Sequence, residues 1–151
     1  MSLTTSLGFD FPNGTRQPLW WRWILASVVA VGGSLLACAL LVKFGESAFP
    51  STIGYEHYGF DSYGKLTVLG VGAACVAWPV VTWFSSKARL PFLWLAIAVS
   101  IVALAPDVWI LAHGQSAQAV FVLVLMHLAL AVITYPALVF IAPQRTARAH
   151  A

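Results

Sequence analysis

His127 stands in the stretch LVLMHLALAVITYP, where everything nearby is apolar. An ionisable side chain in such a run is expensive to hold in lipid and by preference turns toward other protein groups. That cost alone makes it a functional-site candidate. A neutral imidazole hydrogen-bonded to a neighbouring helix is the second reading of the same position. Thr134 follows on the same helical face and extends the polar stripe. Asp107 comes directly after Pro106, whose ring removes a backbone donor, so carbonyls and water can gather there. It is either the acidic partner of His127 or a solvated carboxylate at the headgroup level. His127, Asp107 and Thr134 therefore form the candidate polar pocket, entered from the outer side.

A tandem, GYEHYGFDSYG at residues 54–64, holds more of the chemically capable side chains. Each unit reads glycine, aromatic, acid, polar, tyrosine. A five-residue period fits neither helix nor strand, so turns or broken helix are expected, starting near Pro50 and Ser51. Tyr55, Glu56, His57, Tyr58 and Asp61 form a candidate outer lid. The aromatic rings also suit a headgroup boundary. Glu56 and His57 are adjacent and point apart, whereas zinc sites use spaced ligands, so no metal is expected. The chain lacks a phosphate loop, HExxH, GxSxG and CxxC. No catalytic residue and no cofactor are assigned. Small multidrug transporters also have four short helices, but their first-helix carboxylate has no counterpart here.

The elements that must position these residues follow from composition. The chain has 151 residues, 60% hydrophobic and 9% charged, against about 45–50% and about 25% in ordinary soluble domains. So short a chain cannot hide that much apolar surface from water, and the natural solvent is lipid. Four runs, Leu19–Val42, Tyr63–Phe84, Leu90–Ala112 and Ala117–Ile141, reach the roughly 20 residues a membrane helix needs. They are too continuous for barrel strands. Arg16, Arg22, Lys87, Arg89, Arg145 and Arg148 fall on one side, and Lys43 and Lys65 on the other. The positive-inside bias places both termini in the cytoplasm and the tandem outside. Trp20, Trp21, Trp23, Trp83 and Trp94 mark the cytoplasmic belt. The net charge of +3 is explained by topology, so no nucleic acid is expected.

The organisation expected is a loose cytoplasmic tail at 1–15, one transmembrane domain at 16–142 with an outer loop at about 43–62, and a basic tail at 143–151. Leu35-Leu36-Ala37-Cys38 looks like a lipoprotein box, but the apolar run continues to Val42, which favours a span. Cys38 and Cys75 lie in apolar runs and read as small buried hydrophobes. Arg16-Gln17-Pro18-Leu19-Trp20-Trp21 and Arg89-Leu90-Pro91-Phe92-Leu93-Trp94 share R-x-P-x-x-W. A repeat of two hairpins would give this, and so would ordinary placement of Arg, Pro and Trp at span starts.

Helices in lipid associate through close contact and hydrogen bonds. Ala26, Ala30, Gly33 and Ser34 in the first span, and Gly70 and Ala74 in the second, are the expected packing stripes. Pro79, Pro106 and Pro136 are expected to bend their helices. The fold class is thus all-α, a four-transmembrane-helix bundle. Leu125-Met126-His127-Leu128, with Ala131 and Pro136, resembles the last helix of a family of small four-helix actinobacterial membrane proteins. The resemblance implies a multi-pass protein of the bacterial plasma membrane and brings no activity with it. Two functions are carried forward. One is a binding module or accessory subunit with a protein partner or a second copy of itself. The other is a small transporter or membrane-embedded enzyme using the pocket.

Overall fold

A computed structural model describes residues 17–145. The tail at 1–15, Arg16 and residues 146–151 lie outside the described residues. Five α-helices follow in order: α1 (Trp20–Ala48), α2 (Phe60–Phe84), α3 (Arg89–Ala103), α4 (Ala105–Ala112) and α5 (Ala117–Pro136). A π-helical turn, Ala137–Ile141, continues α5. Among the described residues four helical stretches are long and apolar enough to cross a membrane: Trp20–Ala48, Phe60–Phe84, Arg89–Ala112 and Ala117–Ile141. The fold is an all-α four-helix bundle, as expected. The first helix runs to Ala48, past the expected Val42, and the connection to α2 shrinks to residues 49–59.

The prolines act differently from one another. Pro106 removes a donor and its ring clashes one turn back, so the third span breaks into α3 and α4. Leu104 N–H turns to both Ser100 O and Ile101 O, each at 3.2 Å. Pro136 ends the regular part of α5, and the following turn widens into the π form that often accompanies such a lost bond. Pro79 stays within a continuous α2. Its carbonyl accepts hydrogen bonds from Thr82 Oγ1 at 2.8 Å and Gln17 Nε2 at 3.1 Å.

α5 packs most extensively on α1 and also touches α2, α3 and α4, while α1 pairs with α2. In α1, Ala26, Ala30, Ser34 and Cys38 are all buried, one every four residues. Small side chains at that spacing let backbones approach. Gly33 flanks the stripe, and a Cβ there would stand 3.2 Å from Ile133 Cγ2. Polar pairs join the helices at successive depths. Trp23 Nε1 donates to Cys75 O at 2.8 Å, and Ser34 Oγ lies 3.5 Å from Thr134 Oγ1. Cys38 Sγ lies 3.7 Å from Thr67 Oγ1.

One packing expectation is corrected. Gly70 is exposed, and a Cβ there would meet nothing within 4 Å. The inward face of α2 is Gly64, Thr67, Val71, Cys75, Trp78 and Thr82. Gly70 is one residue off that line, which turns it about 100° away. Ala74 sits half-buried at the edge of the core.

The basic end of the bundle, carrying Arg22, Lys87 and Arg145, is closed by two glutamines. Gln144 Nε2 donates to Ser85 O at 2.6 Å and to Thr82 O at 3.4 Å, while its Oε1 accepts from Ala88 N at 3.2 Å. Gln17 Oε1 accepts from Thr82 Oγ1 at 3.2 Å. Backbone groups of the α2–α3 turn are thereby satisfied without water.

Candidate functional site

The opposite end, the loop end, holds the candidate chemistry. The break at Leu104 starts α4 afresh, with Asp107 in its first turn, where a negative charge suits the helix dipole. His127 lies about 15 Å along α5 from Ala117, at 1.5 Å per residue. The two meet: His127 Nδ1 is 3.0 Å from Asp107 Oδ2. Asp107 is only 3% exposed, while the His127 side chain is 31% exposed and forms the more open side of the pair. The sequence expectation that these residues could be partners thus has its geometric counterpart.

His127 Nδ1 also lies 3.0 Å from Leu123 O, one turn back in α5. One Nδ1 proton cannot point well at both oxygens. The helix carbonyl takes the aligned bond, and Asp107 Oδ2 is left buried, at ion-pairing distance but without an aligned hydrogen bond. The imidazole therefore has two alternative partners for one nitrogen.

Above this pair lies the tandem, whose two units fold differently. Gly54 takes φ +79°, a left-handed value that glycine adopts without steric cost. Glu56–Tyr58 forms a single 3₁₀ turn. The second unit, from Phe60, simply opens α2. The sequence repeat is not a structural repeat, because the second unit is drawn into a helix by the apolar run that follows it.

Tyr58 anchors the connection. It is buried, and its hydroxyl donates to Ala119 O at 3.2 Å. Ser51 Oγ donates to Gln118 Oε1 at 2.8 Å, a second tie to the start of α5. Tyr55 packs against the cluster formed by Cys38, Val42, Tyr58, Ala119, Val122, Leu123 and Met126. Its hydroxyl is buried and has no hydrogen-bond partner among the described residues. Burial first, then the charges of Asp107 and Glu56, raise the Tyr55 phenol above its ordinary ionisation range. The His57 ring meets the Tyr55 ring edge-on at 5.2 Å and lies within electrostatic reach of Asp107.

The remaining expectations divide. Glu56 is exposed at the rim. Asp61 points outward from the first turn of α2 and pairs with Lys65 at 3.5 Å, so it is not part of the cover. Thr134 does not extend the polar stripe to His127. It faces α1 and pairs with Ser34, because two turns of helix separate it from the imidazole. Among the described residues no group of three or more His, Cys, Asp or Glu could hold a metal ion. The Tyr55 hydroxyl is the functional group that sequence reasoning undervalued, since it looked like one more interfacial aromatic. The glutamine closure was missed as well, although Arg16-Gln17-Pro18 and Pro143-Gln144-Arg145 mirror each other at the two chain ends.

Compared with protein-family models, with curated proteins and with solved structures, the chain matches none.

Proposed function

We propose that this chain works in the bacterial plasma membrane as a small binding or transport unit, with the Asp107–His127 pair beneath Tyr55 as its working site. The observation that carries the reading is the 3.0 Å meeting of two ionisable groups, one 3% exposed, from different spans. Helix association alone does not call for them. Ser34–Thr134 and Cys38–Thr67 join helices in this same bundle with neutral groups. An acid and an imidazole cost far more to desolvate and are retained where charge or a proton must be handled. No covalent step is assigned to them.

The reading has a direct test. Wild type and Asp107→Asn are purified from membranes and compared by native mass spectrometry. Wild type is expected to retain a small-molecule adduct that falls at least about tenfold in the variant, the weakening that loss of a charge-assisted bond brings. Equal adducts in both would overturn the reading. A second reading, an accessory subunit, is favoured by the third span. Most of the side chains of α3 face outward, leaving Leu93, Trp94, Ile97, Val99, Ile101 and Val102 exposed. A partner subunit or a second copy could seat there, and photo-crosslinking from Val99 would identify it.

The same proposal places both termini in the cytoplasm, on the strength of the Lys and Arg distribution. Single cysteines at Ser51, Ser86 and Ser116, on a background lacking Cys38 and Cys75, report on it. In whole cells an impermeant thiol reagent is expected to label positions 51 and 116 and to spare 86. The reverse pattern would turn the site toward the cytoplasm.

A further inference from the structure

The two nitrogens of His127 stand in different situations. Nδ1 lies 3.0 Å from Leu123 O and 3.0 Å from Asp107 Oδ2. A backbone carbonyl can only accept, so Nδ1 carries the proton, and Nε2 of the neutral ring keeps a lone pair. Nε2 has no hydrogen-bond partner among the described residues. It is not buried either: the buried side-chain atoms without a partner there are the Tyr55 hydroxyl and Asp107 Oδ2. The open part of this side chain, 31% exposed, thus presents an acceptor with nothing donating to it.

Depth decides what the donor can be. His127 lies about 15 Å along α5 from Ala117, near the middle of a span of 25 residues. The hydrocarbon core is about 30 Å thick, so the open face of the ring lies among acyl chains, which donate nothing. An unpaired acceptor is costly there. The neighbouring positions are apolar and none is buried: Val124 and Ala131 one turn either way on α5, and Leu111 one turn beyond Asp107 on α4. A second copy of the chain would have to bring a donor from its own spans. The hydroxyls along them are already engaged. Ser27 and Ser100 each donate to a carbonyl one turn back at 2.8 Å. Ser34 pairs with Thr134, Thr67 with Cys38, and Thr82 donates to Pro79 O. The exposed indoles, Trp20, Trp21, Trp83, Trp94 and Trp109, stand toward span ends. Charged donors are held at the headgroups by their desolvation cost. The donor that fits is an uncharged hydroxyl on a molecule soluble in the bilayer.

We infer that the open face of His127 receives the hydroxyl of a membrane-dissolved phenol or alcohol, which donates to Nε2 from the lipid side. This inference rests on the site reading above and names its ligand class. Asp107 is then a positioning residue. Its carboxylate stands 3.0 Å behind Nδ1, polarises the ring and strengthens Nε2 as an acceptor. That division of labour accounts for an acid only 3% exposed behind an imidazole open to lipid.

The full chain is placed in phosphatidylglycerol nanodiscs with ¹⁵N-labelled histidine at fixed pH. Para-octylphenol is titrated against its methyl ether, which has the same apolar body and no donor. His127→Phe identifies the His127 signals by their absence. The Nε2 resonance is expected to move saturably with the phenol. The ether should act at least about fivefold more weakly, the value of one ordinary hydrogen bond. The His57 and His113 resonances should hold still. Asp107→Asn keeps the shape and drops the charge, and is expected to weaken the phenol response about fivefold. A response as strong in that variant as in wild type would take Asp107 out of the site. Equal responses to phenol and ether, or none to either, would overturn the inference. So would an Nε2 signal that, without titrant, moves with the protein-to-lipid ratio, which makes the donor a second copy. Magnetisation transfer to Nε2 from water would overturn it too, with solvent as the donor. If Asp107→Asn still strips the native adduct in those cases, the site reading stands without the inference. An unchanged adduct removes both.

Discussion

Trp78→Ala is expected to cost the bundle about 3 kcal/mol, the lower part of the range for removing a buried aromatic. Trp78 is 0% exposed. Its indole nitrogen donates to Ala142 O at 2.8 Å, and its ring lies 5.0 Å from that of Phe92. One side chain therefore joins α2 to the end of the fourth span and to α3. The lower figure applies because lipid is as apolar as the core, so the transfer part of the loss vanishes. What remains is the cavity, the lost contacts and an unpaired carbonyl. Unfolding in mixed micelles measures it. Trp78→Phe should lose only part, since it keeps the ring contact with Phe92. An Ala variant as resistant to denaturant as wild type would mean that the α2–α3 end is held by other groups.

Ser34→Leu is expected to lose about 1–3 kcal/mol by overpacking. Ser34 is fully buried in the α1 stripe and faces Thr134 across the contact with α5. A leucine must push the two backbones apart and leave the Thr134 hydroxyl without its partner. Gly70→Leu is the matched control. That position is exposed and has open space around it, so its effect should stay within about 0.5 kcal/mol. Equal losses at both positions would mean that bulk anywhere on these helices disturbs the fold, and that α1 has no privileged face.

The contrast between Ser34 and Gly70 marks what could be read from the sequence. Span number and type follow from the length of each apolar run, because lipid forces every backbone group into a helix. The α1 stripe was legible because four small residues recur at one spacing, Ala26, Ala30, Ser34 and Cys38. On α2 small residues lie on several faces, Gly64, Gly70, Gly72, Ala73, Ala74 and Ala77 among them. Size alone then cannot choose the face. The large Trp78 and the hydroxyls of Thr67 and Thr82 mark it. The Asp107–His127 meeting was legible as a possibility, since two ionisable residues in apolar spans need partners. Its geometry was not, because it depends on where Pro106 breaks the third span. Thr134 shows the limit of a helical-face argument. Sharing a face with His127 still left it two turns away, at the depth of Ser34. The tandem misled in a different way, since its repeat in sequence is split between a 3₁₀ turn and the start of a helix.

The glutamine closure has a consequence in the order of synthesis. The turn between α2 and α3 is made early, yet Gln144 supplies side-chain partners to Thr82 O, Ser85 O and Ala88 N. Trp78 likewise waits for the carbonyl of Ala142. Until residue 144 has been made, that end of the nascent bundle lacks these bonds and has the earlier ties of Gln17 to Pro79 O and Thr82 Oγ1. Gln144 is thus a latch, which adds its bonds at the basic end once the fourth span is in place.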